Sequence, residues 1–140
     1  MLSGKGGVMD SRRCALLIGS WDYENAQLRK LISPGHDVRG LNEVLVNPQI
    51  GGFDQVQVLE NMSELKIRRS LTTFFSDRPR EDLLLLYFSG HGIKDAHGRF
   101  YLAAVDTDPK DLLGREFRRV SSTMSCGIRR FRASSCCSKP

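Results

Sequence analysis

A run of six hydrophobic residues at positions 83–88, LLLLYF, ends directly in Ser-Gly-His-Gly at positions 89–92. Six successive hydrophobic residues without polar alternation are typical of a strand that is buried on both faces. Such strands belong to parallel sheets that are covered by helices on both sides. The run therefore predicts a central strand of an α/β fold, with a glycine-flanked histidine at its carboxyl end.

Two strands and two helices are predicted before this run. Residues 14–19 (CALLIG) form another continuous apolar run, typical of a buried strand, whereas Val56 and Val58 alternate with glutamines and predict a strand nearer the edge. Asp37 is expected in the first turn of the first helix and Ser63 at the N-cap of the second. The apolar stripes at helical spacing are Val38, Leu41 and Leu45, and Ile67, Leu71, Phe74 and Phe75.

The order strand, helix, strand, helix, strand predicts a mostly parallel central sheet flanked by helices, that is, a three-layer α/β sandwich. After the histidine, residues 95–98 (DAHG) have hairpin-turn composition and residues 100–105 (FYLAAV) resemble a strand. Ligands of such sheets gather beyond the carboxyl ends of the strands. We therefore expect residues 89–92 to lie in the functional site, beside a small hairpin.

Composition indicates one globular domain, with 40% hydrophobic and 26% charged residues. No stretch approaches the roughly 18 apolar residues of a membrane span, and the first ten residues contain no signal-peptide core, so a cytoplasmic location is expected. From residue 115 onward there are seven Lys or Arg and one acid. We expect a flexible leader over 1–11, the folded domain over 12–113, and a divergent basic Ser/Arg/Cys-rich tail over 114–140.

The net charge of +5 alone would suggest an acidic partner, but its distribution argues otherwise, because the tail from residue 115 carries +6 and the rest of the chain −1. The tail lacks the interleaved aromatic residues of single-strand binders, and no His or Cys spacing resembles a metal site. The four cysteines, three of them in the last fifteen residues, do not indicate a disulfide framework, and Cys14 is expected in the core. We therefore expect no nucleic-acid partner, no membrane, no metal and no cofactor, while the oligomeric state stays open.

His91 is the leading candidate for a catalytic side chain. Flanking glycines let the backbone turn sharply at a strand end and keep amides accessible, which suits a general base beside an oxyanion site. A histidine that only caps a buried strand fits the same pattern. His36, before a helix, and His97, in the predicted turn, are expected to face solvent.

The motifs and their order resemble the caspase/metacaspase superfamily (peptidase C14, clan CD), particularly its bacterial members. The resemblance covers about residues 12–113 and rests on residues 14–19 (CALLIG), 34–37 (PGHD), 50–53 (IGGF), 84–92 (LLLYFSGHG) and 98–102 (GRFYL). It implies a caspase-like fold and a cysteine endopeptidase that cleaves polypeptide substrates with a Cys-His dyad. His91 is then the catalytic histidine, and the amide of Gly92 helps to form the oxyanion hole.

The resemblance also implies a substrate pocket. In relatives that resemble metacaspases, the acid that opens the first helix and the serine two residues before the histidine line the S1 pocket. Asp37 and Ser89 match these positions here. A carboxylate in that pocket favours Arg or Lys at P1, although Asp37 also fits the description of an ordinary acid near a helix start.

The nucleophile is where the chain departs from the family pattern. The family places it after a fourth apolar strand, in a sequence like Asp-Cys-Cys-aromatic-Ser-Gly, about 50 residues from the histidine. Cys137 lies 46 residues after His91, with Cys136 beside it, but the preceding acid, the Ser-Gly ending and the apolar strand are missing. Cys137 is the candidate nucleophile, with Cys126 a weaker one.

Two explanations of this departure stay open. The tail is the product of a truncation or frameshift near residue 114, or the chain is a divergent, catalytically inactive relative that acts as an interaction or regulatory domain. In either case the tail offers no further buried strand, so the sheet edge beside residues 83–88 would lack a neighbour.

Overall fold

The computed structural model describes residues 11–95 and 97–111. In chain order the elements are β1 (Arg13–Gly19), α1 (Ser33–Val46), β2 (Gln55–Glu60), α2 (Glu64–Phe75), β3 (Leu83–Ser89), β4 (Gly92–Lys94) and β5 (Phe100–Leu102). β2, β1 and β3 form a parallel sheet in that spatial order, and β4 pairs with β5 in an antiparallel hairpin. The predicted α/β fold with a parallel sheet is confirmed.

One helix covers each face of the sheet. Successive side chains of β1 point to opposite faces and divide between two separate core clusters. One cluster contains Cys14, Leu16, Ile18, Leu59 and Phe74, and the other contains Ala15, Leu17, Val38 and Leu45. The first lies under α2 and the second under α1, which is the predicted three-layer arrangement. No helix in the described part of the chain is long and apolar enough to cross a membrane.

The strand that was predicted to be central is not the middle strand of the described sheet. β1 pairs with both β2 and β3, and its residues 14–19 are all buried. β3 pairs only with β1 among the described residues, and most of its side chains are half-buried. The hydrophobic run of β3 reports packing on both faces, since its side chains join both core clusters. Its second edge has no partner within residues 11–95 and 97–111, so the central position stays a prediction.

Two element boundaries differ from the predicted ones. α1 begins at Ser33 with Pro34 in its first turn, where the fixed φ of proline suits a helix start, so Asp37 lies in the second turn rather than the first. β5 ends at Leu102, because the buried residues 103–105 leave the hairpin. The N-cap of α2 is as predicted, since Ser63 Oγ accepts a hydrogen bond from the amide of Lys66 at 3.4 Å.

We expect Leu17→Ala to lower the free energy of unfolding by about 2–5 kcal/mol, because Leu17 is 0% exposed in the α1 cluster and its loss leaves a cavity. Leu65→Ala is the matched control, because that leucine is 54% exposed on α2; its effect should stay within about 0.5 kcal/mol. Urea unfolding followed by circular dichroism measures both. Equal losses in the two variants would contradict this description of the core.

Candidate active site

The carboxyl ends of β1 and β3 lie side by side. Gly19 is in register with Ser89, and the amide of Ser20 donates to the Ser89 carbonyl at 2.9 Å. Because the strands are parallel, the segments that follow them leave the sheet at the same edge. These segments are the β1–α1 loop, residues 20–32, and the turn at residues 90–91, and together they form the candidate site.

Two contacts fix the imidazole of the half-buried His91. Its Nε2 lies 2.8 Å from the backbone carbonyl oxygen of Arg29 in the β1–α1 loop. A carbonyl oxygen only accepts hydrogen bonds, so Nε2 carries a proton and Nδ1 of the neutral ring is the basic nitrogen. The ring of Tyr23 packs against the imidazole, with centroids 4.9 Å apart and planes tilted by 49°. His91 is therefore arranged to accept a proton at Nδ1.

Tyr23 also contacts the backbone of His91. Its hydroxyl accepts from the His91 amide at 2.8 Å and donates to the Ser20 carbonyl at 2.8 Å. Burial raises the pKa of Tyr23 above its ordinary value, an effect that the hydrogen bond from His91 only partly offsets. The phenol is therefore neutral at physiological pH, as a donor to Ser20 must be. No motif in the sequence marks Tyr23 or the Arg29 carbonyl, because both act through the conformation of a loop.

Asp37 and Ser89 are brought together. Ser89 Oγ donates to Asp37 Oδ2 at 3.0 Å, which joins the second turn of α1 to the end of β3. Asp37 is exposed and Ser89 is half-buried. An exposed carboxylate that is held by one hydroxyl still has lone pairs for a guanidinium or ammonium group.

Gly92 begins β4 directly after His91. It is exposed, and a Cβ atom at this position would collide with the ring of Phe100 on the partner strand. Phe100 is itself 57% exposed and its ring can turn into solvent, so this contact alone does not require glycine at position 92. The remaining predicted site residue, Cys137, lies outside the described residues, as do Cys136, Cys126, residues 1–10 of the predicted leader and the whole predicted tail.

The β1–α1 loop is held from two sides. Asn61 follows β2 with φ of 48°, a left-handed conformation that asparagine tolerates, and its Oδ1 accepts from the amides of Trp21 at 3.0 Å and Asp22 at 3.1 Å. On the other side the amide of Glu24 donates to the Val105 carbonyl at 2.9 Å. The loop that carries Tyr23 and the Arg29 carbonyl therefore has a defined position over the sheet edge.

The β4–β5 hairpin is held by Asp95. Its carboxylate accepts from the amides of His97 and Arg99, from Arg99 Nε at 2.6 Å and from the Tyr101 hydroxyl at 2.9 Å. Burial alone would raise the pKa of Asp95, but these hydrogen bonds outweigh it and hold the pKa well below its usual range. The amide of Ala103 donates to the His91 carbonyl at 2.9 Å, which ties the hairpin to the site.

Of the other two histidines, His36 lines an open pocket beside Trp21 and Leu31 of the β1–α1 loop. His36 and His97 are exposed, as predicted. Within residues 11–95 and 97–111, no group of three or more His, Cys, Asp or Glu side chains is placed to hold a metal ion.

The chain is an α/β domain with a parallel sheet and a glycine-flanked histidine beyond the end of a strand. The family model for the caspase domain, Peptidase_C14, matches residues 12–124. The chain therefore belongs to the peptidase C14 family, which confirms the resemblance drawn from the motifs. Among curated proteins, no sequence matches the chain.

We expect Asp95→Asn to be less stable than the wild-type protein at neutral pH, and we expect the difference in the free energy of unfolding to decrease in acid. The folded-state pKa of Asp95 lies below its value of about 3.9 in an unfolded chain, so the ionised carboxylate stabilises the fold fully above that pH. Its contribution decreases as pH falls below about 4 towards the folded-state pKa. Urea unfolding of both proteins between pH 7 and pH 2.5 measures the difference. A difference that stays constant down to pH 2.5 would contradict the assignment.

Proposed function

We propose that this chain acts as a cysteine endopeptidase in which His91 is the catalytic acid and base. The observation that carries the proposal is the contact between His91 Nε2 and the Arg29 carbonyl at 2.8 Å. It supports a ring that carries its proton on Nε2, so that Nδ1 is the nitrogen that takes the thiol proton, and it lets Nε2–H remain hydrogen-bonded when the ring becomes an imidazolium.

The proposed reaction begins when Nδ1 of His91 takes the proton of the cysteine thiol. The thiolate then attacks the carbonyl carbon of the scissile peptide bond, and the amide of Gly92 donates to the oxygen that becomes negatively charged. The imidazolium gives its proton to the leaving amine as the C–N bond breaks, which leaves a thioester. His91 next takes a proton from water, whose oxygen attacks the thioester carbon. The C–S bond breaks to release the acid product, and the imidazolium returns its proton to the cysteine sulfur.

We propose Cys137 as the thiol, with Cys136 as the neighbouring alternative. The support is its spacing of 46 residues after His91, close to the separation of about 50 in caspases, whereas the family match ends at residue 124, before this cysteine. We place the peptidase domain at residues 12–113 and the thiol in the segment that follows it.

We propose that Asp37 and Ser89 form the S1 pocket and select Arg or Lys at P1. The support is their hydrogen bond at 3.0 Å, which orients the Asp37 carboxylate beside Ser89, two residues before His91 in the chain. An oriented carboxylate binds a guanidinium group through paired, charge-assisted hydrogen bonds.

Hydrolysis of fluorogenic peptides that end in Arg, Lys or Asp tests the dyad. We expect His91→Ala to lower kcat/KM by about 100- to 10,000-fold, the usual contribution of a general acid and base. Cys137→Ala should abolish activity, whereas Cys136→Ala should not. His97→Ala is the matched control, because this histidine is exposed in the hairpin turn.

The opposite results separate the alternatives. Activity that survives both His91→Ala and Cys137→Ala would sink the proposed dyad. Folded protein without activity on any of these peptides would support a catalytically inactive relative that acts as an interaction or regulatory domain.

We expect Asp37→Asn to reduce kcat/KM for the Arg-ending peptide by about 10- to 100-fold, because a charge-assisted hydrogen bond is replaced by a neutral one. The amide keeps an acceptor for Ser89 Oγ, so the local structure is preserved. Glu43→Gln removes another exposed carboxylate from the same helix and should have no such effect. Equal losses in the two variants would indicate a general effect of charge rather than a pocket.

A further inference from the structure

We propose that Tyr23 is a positioning residue for His91, whose hydroxyl joins the backbone of His91 to that of Ser20 and thereby keeps the imidazole in its Nε2–H tautomer. The inference rests on the catalytic role proposed for His91, but it concerns an orientation that can be measured without any catalytic activity.

The hydroxyl of Tyr23 has a single proton, and its two partners determine where that proton goes. The Ser20 carbonyl can only accept and the His91 amide can only donate, so the hydroxyl donates to the first and accepts from the second, each at 2.8 Å. Ser20 follows β1 and His91 follows β3. The phenol therefore joins the ends of the two strands where the site is formed.

The same residue contacts the imidazole. With its hydroxyl held at both partners, the Tyr23 ring lies 4.9 Å from the His91 ring, centroid to centroid, and limits its rotation. The Arg29 carbonyl then meets Nε2 at 2.8 Å. One loop thus holds the backbone, the ring face and the ring edge of His91. Loss of the hydrogen bond between the Tyr23 hydroxyl and the His91 amide should loosen both the ring contact with Tyr23 and the hydrogen bond to the Arg29 carbonyl.

The glycine of the Ser-Gly-His motif is explained by this hydroxyl. The φ of Gly90 is not in the left-handed region, so its backbone conformation alone does not require glycine. A Cβ atom at position 90 would lie 2.9 Å from Tyr23 Oη, closer than real Cβ contacts allow, and 3.0 Å from both the Ser20 carbonyl oxygen and Phe88 Cζ, which is tighter than most such contacts. A side chain at this position would displace one of the two atoms that form the hydrogen bond.

The proposal is tested by measuring which tautomer of His91 is present. The ¹⁵N chemical shifts of the ring nitrogens report it at a pH where the imidazole is neutral. We expect the wild-type protein to show the Nε2–H form. Tyr23→Phe keeps the ring and removes only the hydroxyl. It should lower the ratio of the Nε2–H to the Nδ1–H tautomer about fivefold, which is the change in an equilibrium constant that the loss of one ordinary hydrogen bond produces. Hydrogen exchange of the His91 amide should accelerate by a similar factor.

Two further variants keep the test specific. Gly90→Ala leaves Tyr23 intact but crowds its hydroxyl, and it should produce the same two changes at His91. Tyr101→Phe is the matched control, since it removes a tyrosine hydroxyl that bonds to Asp95 at 2.9 Å in the hairpin, and it should change neither. If Tyr23→Phe lowers stability as Tyr101→Phe does and leaves the tautomer ratio and amide exchange of His91 unchanged, Tyr23 has only a structural role and the proposal is wrong.

Peptide hydrolysis separates this proposal from the proposed function. If the protein cleaves peptides, Tyr23→Phe should lower kcat about fivefold with KM unchanged, because the substrate pocket at Asp37 is not altered. A protein that cleaves nothing but shows the expected changes at His91 would contradict the proposed function while supporting the positioning role.

Discussion

The in-register pairing of β1 with β3 is the interaction on which the rest of the structure depends. Seven residue pairs, from Arg13 opposite Leu83 to Gly19 opposite Ser89, bring the carboxyl ends of the two strands together. A shift by one residue would turn every side chain of β3 to the opposite face and exchange its contacts with the two core clusters. Burial on both faces therefore fixes the register, and the register places His91 beside the loop that follows β1.

The site itself is built from the backbone as much as from side chains. A carbonyl from the β1–α1 loop orients the His91 ring, and the amide after His91 is the proposed oxyanion donor. Backbone groups act at fixed positions only when the loops that carry them are held, here by Asn61 on one side and Asp95 on the other. Each of these side chains accepts hydrogen bonds from two backbone amides.

The sequence predicted the features that follow from local pattern. The strands, both helices, the hairpin and the position of His91 at a strand end could be found because hydrophobic spacing and glycine placement report them directly. The order of the strands in the sheet could not be predicted from the sequence. A strand such as β3 has the same hydrophobic pattern whether its second edge is paired or open. The start of α1 was misplaced because the helix begins at Ser33, with Pro34 in its first turn, before the apolar stripe becomes visible. Tyr23 and the Arg29 carbonyl could not be predicted, because their role depends on a long-range fold contact.

The central claim is that a thiol of this chain acts together with His91, and covalent labelling tests it most directly. The purified protein is incubated with a peptide that ends in Arg and carries an electrophilic ketone, and the modified residue is located by mass spectrometry. The account predicts one adduct, on Cys137, that forms far more slowly in His91→Ala. Labelling at equal rates in wild type and His91→Ala, or an adduct spread over the cysteines without preference, would contradict it.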